Sequence, residues 1–440
     1  MLVKLEKHIN VKFPFLKDKK ILVAISGGID SVVLTQLFSI LNFDISLAHC
    51  NFKLRGEESD LDEGFVCNFA KNNNKNYFTT SFNTKEFAQK NKQSMQVAAR
   101  NLRYSWFQEV MRENCFDFLL TAHHADDNLE TFLINLTRGS GLNGFTGIPE
   151  INENIIRPLL IFSRDEIIKY AKDSKIVWRE DKSNSSTKYI RNKIRHKVVP
   201  VLKDINPGLL ETFSKTIENL DGSKQIINDR VLDISSNILF KTKLDSLEII
   251  KIAILEINKL SNPKAYLYQL LKQYNFTEFN DIFNLLTSQS GKQIFSKTHA
   301  VLKDRDFLIL SEIKEKKTSD IYYIEQNKSE IRNPFHLKIE ETLESSLENK
   351  SIIYISKDKL IFPLIIRRWK NGDFFYPVGM NGKKKISKYF KDEKLSLLQK
   401  EQAWLLCNND DDIIWLIDRR QDNRFCALKE NTNTIKISLI

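Results

Sequence analysis

The sequence predicts an α/β protein, and three observations predict it. Strand-like apolar runs alternate with stretches of helical spacing through the first two hundred residues, which is the signature of a parallel sheet covered on both faces. The first of those runs leads straight into Ser-Gly-Gly, the start of a phosphate-binding turn. Near Asn206 the pattern changes to successive helical spacings, and short strands return beyond Ile294. The expected architecture is a parallel-sheet (Rossmann-like) domain over 1–205, a helical middle domain over 206–315, and a linker with a small α+β domain over 316–440.

In chain order, Ile21–Ile25 reads as a strand, and Val32, Val33, Leu37, Ile40 and Leu41 fall at helical spacing behind the glycines. Phe43–Ala48 reads as a strand, Glu57–Asn72 as a helix, Tyr77–Phe82 as a strand and Met95–Asn114 as a long helix. Phe116–Ala122 and Ile155–Leu160 read as strands flanking a helix at Asp126–Arg138, and Arg164–Asp173 closes the series as a helix. Right-handed crossovers are expected between the parallel strands. Leu209–Leu220, Ile226–Leu239, Leu247–Leu260 and Lys264–Tyr274 read as helices. Phe307–Leu310, Ile352–Ile366 and Asp412–Leu416 read as strands, with a basic helix near Lys384–Lys394 and a charge-rich run at Glu312–Lys317.

Composition narrows the class. With 440 residues, 42% hydrophobic and 28% charged, the chain has enough apolar material for several cores. Disordered, collagenous and disulfide-scaffold classes are excluded. No apolar run approaches the roughly 18–20 residues of a membrane helix, and no secretory signal is expected at Met1–Lys7. Cys50, Cys67, Cys115, Cys407 and Cys426 form no CxxC pair, so reduced thiols in a cytoplasmic protein are expected. The net charge of +11 admits a polyanionic partner or a solvated surface.

The string Ser26-Gly27-Gly28-Ile29-Asp30-Ser31 carries chemistry. Glycines let the backbone turn tightly, and the following helix offers free N–H groups and the positive end of its dipole to a phosphate. Asp30 would repel a phosphate unless a cation stood between them, which points to Mg²⁺. Gly139–Gly144 matches GxGxxG letter for letter, but it follows a helix rather than a strand, so a dinucleotide site is rejected.

A second cluster runs from strand end to helix through His123, His124, Asp126, Asp127, Glu130 and Thr131. Asp127, Glu130, Thr131, Ile134 and Arg138 share one helix face. Two carboxylates and a histidine at the carboxyl end of a parallel strand suit a Mg²⁺ ion or an amine. Asp126 and Asp127 also fit a plain helix start.

SGGIDS resembles the PP-loop of the N-type ATP pyrophosphatases, which split ATP into AMP and pyrophosphate. Further strings narrow the likeness: Ala48-His49-Cys50-Asn51-Phe52-Lys53-Leu54-Arg55, Ala98-Ala99-Arg100-Asn101-Leu102-Arg103-Tyr104, Arg138–Gly144, Arg157-Pro158-Leu159, Trp178–Asn184 and Arg191–Arg195. Over residues 20–200 they resemble the tRNA(Ile)-lysidine synthetases. Ile366–Phe374 and Gly382–Ile386 resemble that family's C-terminal domain. Phe52 departs from it, where many members carry a histidine.

The resemblance implies a reaction and its residues. A C–N bond-forming, AMP-forming ligase would adenylate the C2 carbonyl oxygen of the wobble cytidine in an isoleucine tRNA with a CAU anticodon. Free L-lysine would then displace AMP. Ser26, Gly27, Gly28, Ile29, Asp30 and Ser31 would bind ATP, Asp30 and Asp127 would hold Mg²⁺, and His123 with Arg103 would stabilise charge on the α-phosphate. Asp127 and Glu130 would alternatively hold the lysine ammonium. Of the two histidines, His123 is taken as the functional one. Oligomeric state stays open, with a homodimer among the options.

The positive charge is localised. Trp178–Lys203 carries eight basic residues against two acidic, and Ile361–Lys394 nine against three. Arg191, Arg195, Arg367, Arg368, Lys383, Lys384 and Lys385 are the expected tRNA contacts. Most of the interleaved rings (Trp369, Phe374, Phe375, Tyr376, Tyr389) are expected in the core. Thiolating PP-loop enzymes need cysteine pairs, and amidotransferase types need a glutaminase domain, so both are less consistent with this chain. A non-catalytic RNA-binding protein would not need the loop together with Asp127 and Glu130.

Overall fold

The computed structural model describes residues 1–180, 190–244, 247–313, 321–343, 350–380, 382–427 and 433–440. Asp181, Lys182, Ser183, Asn184 and Lys188 of the first basic segment, and 314–317 of the charge-rich run, lie outside them. The chain forms two compact units, Met1–Asn228 and Asp229–Ile440.

The first unit opens with helix α1 (Leu2–Lys12), absent from the sequence expectation; it buries only Leu5 and Ile9. Then follow β1 (Ile21–Ala24), α2 (Ile29–Ile40), β2 (Ile45–Asn51), α3 (Glu57–Asn72), β3 (Tyr77–Ser81), α4 (Thr84–Lys90), α5 (Met95–Glu113), β4 (Phe118–Leu120) and α6 (Ala125–Thr137). The short α7 (Leu142–Phe145), β5 (Ile151–Asn152), β6 (Ile155–Ile156), α8 (Arg164–Asp173), α9 (Ile190–Lys197), α10 (Val199–Ile205) and most of α11 (Leu209–Ile238) complete it. The sheet order is β3-β2-β1-β4-β6-β5, parallel except for the β5 edge.

Alternation along β1 explains the layering. Ile21 and Val23 enter a core with α1, α2, α3 and α8, while Leu22 enters the opposite core with Phe107, Val110 and Met111 of α5. The strand expected at Ile155–Leu160 stops at Ile156, because Pro158 opens a 3-10 turn. The Gly139–Gly144 segment leaves α6 and folds back on it, with Asn135 Nδ2 donating to Gly144 O at 2.8 Å. That agrees with rejecting a dinucleotide turn.

In the second unit, β7 (Leu239–Leu244), β8 (Leu247–Ala253), β9 (Gln293–Phe295), β10 (His299–Asp304) and β11 (Phe307–Glu312) form an antiparallel sheet, ordered β7-β8-β11-β10-β9. Helices α12 (Ile254–Asn258), α13 (Pro263–Leu271) and α14 (Phe279–Leu285) pack on it together with Ile234 and Ile238. Leu247–Leu260 is therefore a strand followed by a short helix, not one helix. Its apolar positions satisfy both periodicities, and pairing of isoleucine-rich β8 with β11, Ile250 opposite Leu310, decides for the strand. Leu209–Leu220 and Ile226–Leu239, expected as two helices, belong to the 30-residue α11 apart from Leu239, which begins β7.

Beyond residue 320, β12 (Tyr322–Ile324), β13 (Glu330–Ile331), β14 (Leu337–Thr342), β15 (Ile352–Ser356), β16 (Leu364–Arg368), β17 (Phe374–Phe375), β18 (Lys384–Lys385), α15 (Ile386–Asp392), α16 (Leu397–Glu401), β19 (Trp404–Cys407), β20 (Ile413–Leu416), β21 (Arg420–Gln421) and β22 (Thr434–Leu439) form two small antiparallel sheets and a ribbon. No helix among the described residues is long and apolar enough to cross a membrane.

Candidate active site

The glycine loop lies between β1 and α2. Gly27 has φ +87°, and a Cβ there would stand 3.3 Å from the Phe65 ring, so both conformation and space require glycine. Ser31 Oγ knots the turn: it donates to Gly28 O at 2.9 Å and accepts from the Ser26 amide at 3.1 Å. The result is a cup at the N-terminus of a 12-residue helix, where orphan amides are available to an anion. Arg179, whose amide donates to Gly27 O at 3.0 Å, braces the cup. Its guanidinium binds Asp62 at 2.5 Å and Glu58 at 2.9 Å. The sequence did not reveal this brace, because its partners lie more than a hundred residues away.

One strand over, β4 delivers the second cluster. His124 is the N-cap of α6, and its amide donates to Asp127 Oδ2 at 3.2 Å. The buried His124 ring sits among three carboxylates: Nε2 is 3.9 Å from Asp30 Oδ1 and 3.4 Å from Asp127 Oδ2, and Nδ1 is 3.7 Å from Asp126 Oδ2. The structure thus brings Asp30 and Asp127 to one point, with His124 rather than His123 between them. His123 lies beside them, its Nδ1 3.0 Å from Thr121 Oγ1. Burial pushes the His123 imidazole down to about 3, and Arg157, Arg191 and Arg103 add repulsion against the pull of Asp127. His123 is therefore neutral at pH 7.

The carboxylates differ. Burial raises the pKa of Asp30, Asp127 repels its charge, and His124 only partly compensates. For Asp127 burial is outweighed by His124, Arg191, His123 and Arg195, so its pKa falls below the ordinary value. Asp126 is anchored elsewhere: Oδ2 accepts the Arg164 amide at 2.8 Å, and Oδ1 meets Lys203 Nζ at 2.7 Å. It joins α6 to α8 and α10, the plain helix-start role extended into a tertiary tie.

Glu130 is almost wholly buried and accepts two guanidiniums from α9. Arg191 Nε lies 2.9 Å from Oε2, Arg195 Nε 2.6 Å from Oε1, and Arg195 Nη2 3.1 Å from Asp127 Oδ1. Arg191 and Arg195 are one turn apart, so both reach the same face. Expected among the tRNA contacts, they point instead into the carboxylate cluster. Arg103, on α5, is stacked near Tyr104, with its Nε buried and unpartnered among the described residues.

The chain matches the family model described as a PP-loop domain over residues 1–202. It also matches a TilS substrate binding domain over 246–313 and a TilS substrate C-terminal domain over 364–439. The tRNA(Ile)-lysidine synthase of Parabacteroides distasonis is 39% identical over 427 residues, 96% of this chain and 95% of that one. The chain belongs to the tRNA(Ile)-lysidine synthase family. Family members from Bacteroides thetaiotaomicron and Porphyromonas gingivalis strain W83 are 38% and 33% identical, covering 98% and 95% of this chain and 97% and 93% of their own. Membership makes the protein an ATP-using ligase.

In this family member the C-terminal basic residues divide into two kinds. Arg367 is buried and held by both oxygens of Asp373, at 2.8 and 2.9 Å, and by Asp411 at 2.6 Å. It supports the loop 369–373 and has no open face for a phosphate. Arg368 turns outward, its guanidinium 3.9 Å over the Trp404 ring. Lys383 Nζ lies 3.3 Å over Phe374, Lys384 pairs with Asp392 at 2.8 Å, and Lys385 is exposed. Phe375, Tyr389 and Trp369 pack in the local core.

Proposed function

We propose that the protein joins L-lysine to C2 of the wobble cytidine of an isoleucine tRNA with a CAU anticodon, changing its decoding from AUG to AUA. The observation that carries this reading is the meeting of the phosphate cup with the buried Asp127–Glu130 pair at the carboxyl edge of one parallel sheet. A triphosphate and a cation are then held side by side, as a two-step ligation requires.

In the first step Ser26–Ser31 seats the phosphates and the cytidine O2 attacks the α-phosphorus, releasing pyrophosphate. His123, being neutral, is a hydrogen-bond donor at this stage rather than a charged acid. In the tautomer whose Nδ1 accepts from Thr121 Oγ1, Nε2 carries the proton and can donate to developing charge. Arg103 supplies a fixed positive charge. In the second step the lysine ammonium gives up a proton, for which Asp127 and Glu130 are the carboxylates at hand, its amine attacks C2, and the C2–O bond breaks as AMP leaves. Asp127 and Glu130 already bind guanidiniums, so the spot is built for a cation. Lysine would take it by displacing or sharing Arg191 and Arg195.

The residues fit a magnesium ion. Asp30 Oδ1 is buried without a hydrogen-bond partner among the described residues, and Asp127 stands across from it. An ion there would be held by the two carboxylates, with phosphates and water completing its shell. When bound it neutralises phosphate charge.

Arg368, Lys383 and Lys385, with Lys384 behind them, form the outward basic face for tRNA, and the work is done in the cytoplasm. The three expected modules, 1–205, 206–315 and 316–440, divide into catalysis and two tRNA-binding parts. The test is nucleoside analysis of tRNA incubated with ATP and labelled lysine. Label in the wobble cytidine with stoichiometric AMP supports the reading. AMP formed without lysine, or no AMP, overturns it.

A further inference from the structure

Three arginines gather on one tyrosine at the carboxyl edge of the sheet. The guanidinium carbons of Arg100 and Arg103 lie 4.7 and 5.4 Å from the Tyr104 ring centroid. Arg157, which follows β6, hydrogen-bonds the Tyr104 side chain and donates through Nη1 to Pro149 O at 2.7 Å. Arg157 is only 4% exposed. Nε of Arg103 and of Arg157 are both buried with no hydrogen-bond partner among the described residues.

The charge balance sets this cluster apart. Arg179 is paired with Asp62 and Glu58, and Arg191 and Arg195 with Glu130. No carboxylate among the described residues pairs with Arg100, Arg103 or Arg157. Burial and mutual repulsion lower the pKa of Arg103 and of Arg157, with Arg100 a repelling neighbour of both. A group of like charges that runs from the surface to a buried arginine without a counter-charge is the arrangement an anionic ligand completes.

Its position argues for which anion. The cup at Ser26–Ser31 leads into α2, whose side chains pack with α1 and α8. The arginine cluster sits on the α5 face, between the ends of β4 and β6, and Arg103 and Arg157 both act on His123. Exposure falls from Arg100, which is open to solvent, through half-buried Arg103 to buried Arg157. A chain entering from outside would meet them in that order.

We propose that Arg100, Arg103 and Arg157, assembled on Tyr104, form a second phosphate site that takes a backbone phosphodiester of the RNA next to the nucleotide being modified. The cup holds the nucleotide triphosphate, Arg100 and Arg157 hold the polynucleotide, and Arg103 between them also lends its charge to the α-phosphate that meets the RNA. His123 between them then faces the base that the two anchors bring together. The inference rests on the proposed RNA substrate, and it adds a place where the backbone is gripped. Planar guanidiniums give bidentate contacts that a lysine would not reproduce.

The experiment measures equilibrium binding of the CAU-anticodon tRNA over a salt series, without turnover, and ATP affinity separately without RNA. R100Q, an exposed change, is expected to bind tRNA about five- to tenfold more weakly, with the slope of log K against log salt smaller by about one. ATP affinity stays within about twofold of the parent. R157K keeps the charge but loses the fork, and its tRNA affinity also falls; should R157K fail to fold, R100Q carries the test alone. An anticodon stem-loop with a neutral methylphosphonate 5′ to the wobble cytidine should weaken the parent by a similar factor and R100Q by clearly less. An unaltered salt slope in R100Q overturns the site. So does a drop in ATP affinity with RNA binding intact, which assigns the cluster to ATP's phosphates. A methylphosphonate loss that adds fully to R100Q places the phosphate elsewhere and also overturns it. Because binding is read without chemistry, absence of labelled lysidine would overturn the proposed reaction and leave this site standing.

Discussion

Arg195 Nε lies 2.6 Å from Glu130 Oε1, inside the pocket where the second substrate's ammonium is expected. A guanidinium and an ammonium compete for the same oxygens. Glu130→Gln removes the charge that both require. The Michaelis constant for lysine should rise about 10- to 100-fold, the range for losing one or two charge-assisted hydrogen bonds. Initial rates of lysidine formation against lysine concentration check it; an unchanged lysine requirement removes Glu130 from that pocket.

Asp30 sets function against stability. Its pKa is raised by burial, so the folded chain favours the protonated carboxyl. The stability this group contributes is full below its ordinary value of 3.8 and is lost as pH rises through the higher folded value. At pH 7, without ATP or Mg²⁺, the charged form weakens the fold. Asp30→Asn should therefore raise the melting temperature at pH 7, with the gain shrinking as pH falls below 3.8. The same change should slow pyrophosphate release by about 100-fold or more, the scale for losing a preorganised charge at a phosphoryl centre. Thermal unfolding at several pH values and a pyrophosphate assay read both effects. An Asn variant that is less stable at pH 7 contradicts the burial argument.

Asp126 should behave in the opposite sense. Burial works against its charge, but the Lys203 ammonium and the Arg164 amide overcome it and hold its pKa below the ordinary value. Its stability contribution is present above 3.8 and lost as pH falls through the lower folded value. Asp126→Asn is expected to cost about 1–3 kcal/mol at pH 7, the range for breaking a charged hydrogen bond. Denaturant unfolding should show the gap to the parent closing in acid. A pH-independent deficit would mean that packing, not charge, is lost.

Much of this site is legible in sequence, and the exceptions share a cause. Ser26–Ser31 and Asp127–Glu130 stand out because a turn and one helix face are local patterns. The partnership of Glu130 with Arg191 and Arg195 crosses more than sixty residues, and no spacing announces it. Neighbouring positions also do not say which ring will meet Asp30: it is His124, at 3.9 Å, and not His123, the ring taken as functional from the sequence. Arg367 and Arg368 group together by charge, although strand alternation separates them: on β16 adjacent side chains face opposite sides, so one is buried against Asp373 and the other stacks on Trp404. Leu247–Leu260 misleads because its apolar residues fit two periods, and only the partner strand chooses between them.

The outward lysines allow a graded test of the C-terminal face. Lys383 and Lys385 are exposed, whereas Lys384 is mostly buried and neutralised by Asp392. An ammonium that contacts a phosphate releases condensed counterions, and each contact contributes about 0.9 to the salt slope on duplex nucleic acid. Replacing both Lys383 and Lys385 by Ala should lower the slope of log K against log salt by about two contacts' worth and weaken tRNA binding at low salt most. Lys384→Ala should change the slope little, because its partner already screens it, and should loosen α15 instead. Salt-series binding with the full chain separates the cases. Equal slopes for the double variant and the parent would take this face out of the RNA interface, and a Lys384→Ala effect as large as the pair's would mean the Asp392 bridge opens on binding.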